Sequence, residues 1–543
     1  MGFWDYFFII LFMLGGCGVF LVGCKLMSDN MEKIASKGIK KLFDKTSDKK
    51  LVGVGIGAVS TAIVQSSGLT TVMVVGLVNA GIMTLFQATT VIMGANIGTT
   101  ITAQIAALSS FPFTDFFYLF AIVGIFMAMF SKNNKINCVG LILAGFGLVF
   151  IGLKIMSGSF GDLNADGVVD NLLSTIKNPF LLLFIGIVLT ALTQSSSAIT
   201  SVLIVMAAQG INIGGGGNAV LYIVLGTNIG SCVTALLSSI GTSANARRAS
   251  LIHLMFNVFG SVIFFIMLML WPSFMDVTFE KWFPGVAGTQ IAMFHTAFNS
   301  ICTIIFIWFT KIFVVISNKL IKDDKQDKPI TYLDKRLISS PDVALNAVHK
   351  EAALVMERAM DIFNKALKDF EETNLDELSE TDVAVDGINE ACRNITDYLV
   401  KISANDISVN TEKEISSLHH SMGDIVRVAE LAQNFTKYTR RRDRDGLNFS
   451  NKVILDLEEF KCKIFELYEL VKEVVLNKDL SLIVQIDQME DGVDEVRRKL
   501  VDAHIKRLNK GECRAESSSV FVNLVNNMER IADHLHAVAH NAE

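Results

Sequence analysis

Two apolar blocks in the first half of the chain carry the same ordered series of polar residues and glycines. Gln65-Ser66-Ser67-Gly68 in the first block returns as Gln194-Ser195-Ser196-Ser197 in the second, 129 residues later. Other pairs at this offset are Gly18 and Gly147, Gly23 and Gly152, Lys25 and Lys154, Met27 and Met156, Ser28 and Ser157, Gly57 and Gly186, Thr61 and Thr190, and Thr71 and Thr200. Downstream, GANIG at 94–98 returns as GTNIG at 226–230. A duplicated apolar unit with matching polar, glycine-bearing interruptions is typical of secondary transporters.

The composition divides the chain near residue 320. Long apolar runs precede this point, whereas the remainder is charged and has the periodicity of amphipathic helices. The net charge of −6 gives no indication of a nucleic-acid surface, and the eight cysteines form no CxxC pair. We therefore expect a membrane domain at 1–318, a linker at 319–337 and a soluble domain at 338–543, with no nucleic-acid partner.

The distribution of basic residues predicts the orientation of the membrane domain. The segment after the first apolar run contains Lys25, Lys33, Lys37, Lys40, Lys41, Lys45, Lys49 and Lys50, which indicates a cytoplasmic loop. The equivalent segment of the second block, 154–177, instead carries Asp162, Asp166 and Asp170. Opposite charge bias in equivalent loops indicates two inverted repeats, repeat one at 5–131 and repeat two at 136–271.

The apolar runs predict seven full spans, at 4–27, 84–108, 116–131, 136–156, 218–240, 249–271 and a final span at 288–318. Four further segments, at 51–64, 69–80, 180–193 and 198–209, are each about a dozen residues long, whereas a spanning helix needs about 20. We interpret each neighbouring pair as a re-entrant helical hairpin with the QSS motif at its tip. Seven crossings place the N-terminus outside and the C-terminal domain in the cytoplasm.

The chemistry of the tips suits a tetrahedral oxyanion, because the second half-helix begins there with unpaired N–H groups and a partial positive charge. The predicted anion-binding residues are Gln65, Ser66, Ser67, Thr70, Thr71, Gln194, Ser195, Ser196, Ser197 and Thr200. The same kinds of oxygen bind a small hard cation, with sodium ligands predicted at Gln65, Asn96, Thr99, Thr100, Gln194, Asn228 and Ser231. Neither block has an arginine in its apolar core, so co-bound sodium would offset the desolvation cost of the anion. The alternative is that these small residues only pack helices in lipid.

A second repeated motif has a histidine and an asparagine four residues apart, at 253–257 (HLMFN) and 295–299 (HTAFN). This spacing puts both side chains of a pair on one helix face. We interpret each pair as satisfying itself against the backbone in the protein interior. A role in substrate or proton transfer is the alternative.

These motifs, together with NARRA at 245–249, resemble the sodium–phosphate cotransporter family, its type II group and bacterial relatives, over about residues 5–318. The resemblance implies sodium-coupled symport of inorganic phosphate into the cell across a bacterial plasma membrane. The family's substrate-binding motifs fall on Gln65 to Ser67 and Gln194 to Ser197. Gly68 departs from the pattern, as does the lack of an HxxFN segment in repeat one. The sequence contains no GxxxxGK loop and no nucleophile constellation, so it does not indicate an enzyme or an ATP-driven pump.

The C-terminal half has six predicted amphipathic helices, at 341–373, 376–404, 411–439, 447–476, 479–508 and 514–541, which would form two three-helix bundles. It resembles the PhoU family over about 338–543, and this resemblance implies a cytoplasmic domain that regulates uptake and that binds a divalent metal through E/DxxxD pairs. The matching carboxylates are Asp382, Asp386, Asp424, Glu490, Asp494, Glu529 and Asp533, with His420 in place of one acid. Such pairs are otherwise ordinary helix surface. We further expect a homodimer and a cytoplasmic regulatory partner. The alternative for the whole protein is a membrane-anchored phosphate sensor that signals through this domain.

Overall fold

The computed structural model describes residues 3–44, 48–165, 167–322, 331–376, 378–405, 407–511 and 513–543. All regular elements in these ranges are helices, so the all-α prediction is confirmed. Contacts divide the chain into two units, Met1–Ile330 and Thr331–Glu543. Lys45, Asp166 and residues 323–330 of the predicted linker lie outside the described residues.

The first unit contains thirteen α-helices in its described part. They are α1 (Phe3–Asp44), α2 (Lys50–Val64), α3 (Ser67–Asn79), α4 (Leu85–Leu108), α5 (Tyr118–Phe130), α6 (Asn134–Leu163), α7 (Val168–Ser174), α8 (Pro179–Thr193), α9 (Ser196–Ala208), α10 (Ala219–Ser238), α11 (Ala244–Leu270), α12 (Ala287–Phe306) and α13 (Thr310–Leu320). Seven helical segments of the described chain are long and apolar enough to cross a membrane, and each of the seven predicted spans overlaps one of them. The four shorter apolar helices are α2, α3, α8 and α9. The first unit is therefore a multi-pass membrane domain.

The first helix differs from the prediction, because the lysine-rich segment after the first span is not a loop. Helix α1 continues without a break to Asp44, for 42 residues. Lysine is a good helix former and the segment contains no proline, so its charge does not interrupt the helix. The charge pattern located the end of the apolar part of α1 and not the end of the helix.

Close glycine contacts pack the short helices onto long ones in the same way in both repeats. A Cβ atom at Gly57 of α2 or at Gly94 of α4 would lie 2.0 Å from a backbone oxygen of the facing helix. At Gly186 of α8 and Gly226 of α10, the repeat equivalents, that distance would be 2.2 Å. A side chain larger than hydrogen cannot fit at any of these four positions, so the helix pairs α2–α4 and α8–α10 depend on glycine.

Helices α1 and α6 also meet through repeat-related glycines. A Cβ at Gly23 would lie 2.7 Å from the oxygen of Gly145, and one at Gly152 would lie 2.7 Å from the oxygen of Gly16. Because the higher number in α1 faces the lower number in α6, the two helices run antiparallel. Gly16 and Gly145 are 129 residues apart, as are Gly23 and Gly152. If each residue is replaced by its equivalent in the other repeat, the contact of Gly23 with Gly145 becomes the contact of Gly152 with Gly16. This exchange is the pattern of a two-fold relation.

The second unit is built from six long helices. They are α14 (Pro341–Glu372), α15 (Leu378–Ser403), α16 (Val409–Arg444), α17 (Asn451–Asn477), α18 (Ile483–Asn509) and α19 (Ala515–His540), and each overlaps one predicted helix. Helices α14 to α16 pack together, as do α17 to α19, while α14 contacts α17 and α16 contacts α19. The phenylalanines Phe363, Phe435, Phe460 and Phe521 are at most 1% exposed and anchor the shared core.

Candidate functional site

The two QSS tips have the same backbone geometry. Gln65 ends α2 and Gln194 ends α8, and both adopt the left-handed conformation with φ of 53°. The next residue, Ser66 or Ser195, is the N-cap of the following helix, and its hydroxyl accepts a hydrogen bond of 3.2 Å from the backbone N–H three residues on. A non-glycine residue in this conformation costs about 1–3 kcal/mol. The repetition of this cost in both repeats marks the tips as functional candidates.

Each tip presents the start of a helix, where backbone N–H groups point outward without intrahelical partners. The first helical residues, Ser67 of α3 and Ser196 of α9, are both 6% exposed, so these N–H groups lie inside the protein. Helix N-termini carry a partial positive charge that is screened less when it is buried. The tips can therefore stabilise an oxyanion without a basic side chain.

Threonines with buried hydroxyls occur a few residues before and after each tip. The Oγ1 atoms of Thr61, Thr71, Thr190 and Thr200 have no partner among the described residues, although all four side chains are 0% exposed. Thr61 and Thr190 are repeat equivalents, as are Thr71 and Thr200. A buried hydroxyl without a partner costs about 1–3 kcal/mol, so the same orphans in both repeats indicate groups kept for a ligand.

Thr61 and Thr190 were not among the predicted binding residues. Their recurrence was visible in the sequence, but a threonine in an apolar helix usually bonds the carbonyl three or four residues before it. Thr70, which was predicted to bind the anion, does this: its Oγ1 donates to the oxygen of Ser66 at 3.1 Å. Its hydroxyl hydrogen is therefore engaged with the first turn of α3.

The environments of the two tips are not equal. Gln65 is half-buried, with its Oε1 atom enclosed and without a partner in the described part of the chain, whereas Gln194 is exposed. Helix α3 contacts α10 and helix α9 contacts α4, so each tip helix packs against a long helix of the other repeat. At the first tip, a Cβ on Gly68 would lie 3.6 Å from Cγ2 of Thr234 in α10. The structure thus brings residues of both repeats to one tip.

The predicted sodium ligands outside the tips lie buried on α4 and α10. The amide nitrogens of Asn96 and Asn228 donate to the carbonyls four residues before them, at 2.9 and 3.1 Å. The hydroxyls of Thr99, Thr100 and Ser231 likewise donate to carbonyls of their own helices. Each hydroxyl hydrogen and one hydrogen of each amide are thus engaged, and the side-chain oxygens keep lone pairs that suit a cation. Their role in binding sodium stays a prediction.

The two histidine–asparagine pairs are only half satisfied. Asn257 donates to the oxygen of His253 at 3.0 Å, and Asn299 donates to the oxygen of His295 at 2.9 Å, as the spacing predicted. The imidazole nitrogens of both histidines have no partner among the described residues, and the rings are at most 1% exposed. The interpretation that each pair satisfies itself is therefore wrong for the rings. Sequence spacing places a side chain on a face but does not show what the ring meets there.

A polar cavity of about 530 Å³ opens at one end of the first unit, between the ends of α4 and α9 and the start of α12. Its lining includes Ser110, Ser157, Gln209 and Gln290. Gln209 donates to the Ser157 hydroxyl at 2.6 Å, which joins α9 to α6. The predicted orientation places this end on the outer side of the membrane.

In the second unit, two of the predicted metal carboxylates accept hydrogen bonds from other side chains. Asp382 accepts from Gln433 at 2.7 Å, and Asp424 accepts from His534 at 3.0 Å and from Asn541 at 2.9 Å.

Arg497 lies 3.5 Å from Glu529 and 3.9 Å from Asp494, so it partly neutralises both carboxylates. Burial and the neighbouring Asp533 raise the pKa of Glu529 to about 7. No three of the seven predicted carboxylates in the described residues converge on a single position. Metal binding by this set stays a prediction.

Two stretches of the first unit, residues 19–158 and 154–279, match the family described as Na+/Pi-cotransporter. Each stretch contains one QSS tip and the long helix packed against it. The membrane domain belongs to the Na+/Pi-cotransporter family. Residues 459–542 match the PhoU domain, which covers the second of the two bundles.

Some relatives match this chain along nearly its whole length, and others match about half of it or less. The Escherichia coli (strain K12) protein named "Putative inorganic phosphate export protein YjbB" is 22% identical over 96% of this chain and 95% of its own length. The uncharacterized protein YqeW of Bacillus subtilis is 27% identical over 56% of this chain and 95% of its own length. The human sodium-dependent phosphate transport protein 2B is 35% identical over 101 residues, 18% of this chain. No solved structure is significantly similar to this chain.

Proposed function

We propose that the protein is a sodium-coupled symporter of inorganic phosphate, with phosphate bound between the two QSS tips. The observation that carries this proposal is the repeated tip: a left-handed glutamine, a capping serine and buried threonine hydroxyls without partners, present twice. Membership of the Na+/Pi-cotransporter family supports the choice of phosphate and of sodium. The function is transport and not catalysis.

The proposed architecture is a pair of inverted repeats, each with one re-entrant hairpin, α2–α3 and α8–α9. Each of these helices has 13 or 15 residues, too few to span a bilayer. The antiparallel contact of α1 with α6, in which repeat-related glycines exchange places, supports the inversion. So does the opposite charge bias of the equivalent segments, and the lysine-rich segment favours a cytoplasmic C-terminal domain.

In the proposed mechanism, the N–H groups at the starts of α3 and α9 bind the phosphate oxygens. The hydroxyls of Ser66, Ser67, Ser195, Ser196 and Ser197 add hydrogen bonds. Gln65 and Gln194 contact both phosphate and sodium, because their amide carries a donor and an acceptor. Sodium bound by asparagine and hydroxyl oxygens of α4 and α10 offsets the charge of the anion. Either ion alone would pay the full desolvation cost of a buried charge. This mutual dependence is the physical origin of coupling.

The proposed direction is uptake, because an inward sodium gradient drives a symporter inward. A symporter is reversible, however, and relatives along the whole chain carry a name that refers to phosphate export. Export is therefore the second candidate function. In that case flux would follow the phosphate gradient outward without an inward sodium requirement.

Proteoliposomes distinguish these functions when radiolabelled phosphate is supplied outside to measure influx and, in a parallel sample, loaded inside to measure efflux. For the symporter, we expect accumulation against a phosphate gradient when sodium is high outside, and none when potassium replaces it. Sodium-independent efflux that exceeds influx would replace uptake by export. Binding without flux in either direction would instead identify the membrane-anchored sensor. Competition by sulfate equal to that by phosphate would overturn the choice of substrate.

The second unit is proposed to regulate transport from the cytoplasm. The match to the PhoU domain supports this role, as do relatives whose similarity extends over 96% of this chain and therefore over both units. A cytoplasmic partner and a homodimer remain part of the proposal.

A further inference from the structure

The last turns of α19 carry two histidines that face one aspartate of α18. His536 and His540 are four residues apart and therefore share a helix face. The Nε2 atoms of both rings lie 2.8 Å from the same oxygen, Oδ1 of Asp487. The three potential ligand atoms all lie within 4.8 Å of one another, and no other group of three histidine, cysteine or acidic side chains in the described chain converges as closely.

We propose that Asp487, His536 and His540 bind one divalent transition-metal ion of the zinc class. Two imidazole nitrogens and one carboxylate oxygen suit Zn²⁺, Co²⁺ or Ni²⁺, whereas Mg²⁺ and Ca²⁺ prefer oxygen ligands only. Tetrahedral bonds of about 2.0–2.1 Å place ligand atoms about 3.3 Å apart. The two observed separations of 2.8 Å are only slightly shorter, so small side-chain rotations admit the ion.

The surroundings of the three ligands have the features of an outer shell. The Nδ1 atom of His540 lies 3.1 Å from a carboxylate oxygen of Glu543, so its N–H donates there and Nε2 is left to bind the ion. Glu490 and Asp533 lie one turn away on the same two helices and add negative charge that attracts a cation. The ligand side chains are 30–47% exposed, which leaves a coordination position for water.

This site is separate from the carboxylates that the E/DxxxD pattern selects. None of its three ligands belongs to that set, and no arginine among the described residues pairs with Asp487 as Arg497 does with Glu529. The simpler explanation of the geometry is a hydrogen-bond network, in which both histidines donate to Asp487 and no ion binds. The two explanations differ in metal affinity and in the spectrum of a bound ion.

The test uses the full-length protein in detergent, freed of metal by a chelator and then titrated with Zn²⁺ or Co²⁺. We expect one equivalent of Zn²⁺ to bind, with visible Co²⁺ bands that indicate nitrogen ligation. We also expect the unfolding transition of the second unit to rise by about 5–10 °C at a free-metal concentration of 100 Kd. The double variant His536→Gln/His540→Gln should lose at least about 100-fold in affinity, and Glu543→Gln should lose about 10–100-fold.

His534→Gln is the matched control, because His534 lies on the same helix but contacts Asp424. It should bind Zn²⁺ like the parent protein. Equal Zn²⁺ affinity in the parent and the double variant would overturn the proposal, as would failure of the parent to bind. A Co²⁺ spectrum of oxygen ligands alone would also overturn it. If the double variant unfolds, Asp487→Asn, which preserves shape and hydrogen-bonding capacity, must show the same loss of affinity.

Discussion

At the residue scale, the most informative feature of the tips is the set of buried hydroxyls without partners. For Thr71 and Thr200, we expect Thr→Val to lower phosphate-dependent transport affinity about 10–100-fold, because a hydrogen bond to a charged group contributes about 1.5–3 kcal/mol. Stability should not fall, since no hydrogen bond within the protein is lost. Initial uptake rates across phosphate and sodium concentrations, with thermal unfolding in detergent, measure the two effects.

The control for these variants is Thr89→Val in α4. Thr89 is also 0% exposed, but its Oγ1 donates to the oxygen of Leu85 at 2.7 Å. This variant should lower stability slightly and leave the affinities unchanged. If Thr71→Val and Thr200→Val transport normally, the unpartnered hydroxyls bind no ligand.

Gln65 separates a backbone requirement from a side-chain requirement. Its φ of 53° favours glycine, so Gln65→Gly should raise the melting temperature, while Gln65→Ala should not. Both variants remove the amide and should greatly reduce transport. Uptake assays on the two purified variants test this pair of outcomes. Normal uptake by Gln65→Gly would mean that only the turn at this position matters.

At the element scale, sequence predicted the helices well because each follows from a property that the chain displays directly. Apolar length gave the seven spans, and the repeated interruption between short apolar segments gave the tips. Partners of side chains were not accessible in the same way. Neighbouring helices determine which side chains find partners and which are exposed. This applies to the hydroxyls of Thr61 and Thr190, the rings of His253 and His295, and the exposure of Gln65 and Gln194.

The sequence contains part of the proposed metal site as a recognisable pattern. Residues 536–540 read HAVAH, a pair of histidines at helical spacing. The E/DxxxD pattern selects acidic residues only and therefore does not include these histidines. Asp487 could not be assigned as their partner before the packing of α18 on α19 was known.

The histidines of α11 and α12 test whether a buried ring without partners is retained for transport. Because the rings of His253 and His295 lose no hydrogen bond on substitution, His253→Leu should keep or raise the melting temperature. We expect it to abolish sodium-dependent uptake nonetheless, because such a costly group persists where it serves function. Unchanged uptake together with unchanged stability would assign the ring to packing.

Three polar side chains, His349, Glu414 and Lys478, meet at the contact between the two bundles of the second unit. His349 of α14 contacts the oxygen of Val475 at 2.9 Å and a carboxylate oxygen of Glu414 at 2.9 Å. The carbonyl of Val475 and the carboxylate of Glu414 are both oxygen acceptors for this ring. Burial opposes the charge of Glu414, but hydrogen bonds from His349 and Lys478 prevail and lower the pKa of Glu414 to about 2.

A carboxylate whose pKa is lowered on folding stabilises the folded state at pH values above its pKa in the unfolded chain. This stabilisation is lost as the pH falls through the pKa of the folded state. We therefore expect the fragment 331–543 to lose stability between pH values of about 4.5 and 2. Glu414→Gln should be less stable than the parent at pH 6 and less sensitive to acid in this window. Urea unfolding at a series of pH values measures both effects. Parallel pH curves for the two proteins would exclude Glu414 as the source.

At the scale of the whole molecule, the chain joins a transporter to a helical unit with its own core, and a coupling energy between them is what regulation requires. Removal of the second unit measures that coupling. The cut should follow Lys322 and not the last residue of α13, because buried Arg248 donates to the oxygen of Ile321 at 2.8 and 3.1 Å. A shorter fragment would remove this acceptor of the guanidinium and destabilise the start of α11.

If the PhoU-like unit restrains uptake, the fragment 1–322 should transport phosphate faster than the full-length protein when phosphate is present inside the liposomes. The difference should shrink as internal phosphate is lowered, because the restraint reports on phosphate status. Uptake rates of the two proteins, at matched insertion and at several internal phosphate concentrations, measure this effect. Thermal unfolding of the fragment shows whether it is folded. A folded fragment whose rates equal those of the parent at every internal concentration would contradict a restraining role, and the second unit would then serve a partner rather than the transporter.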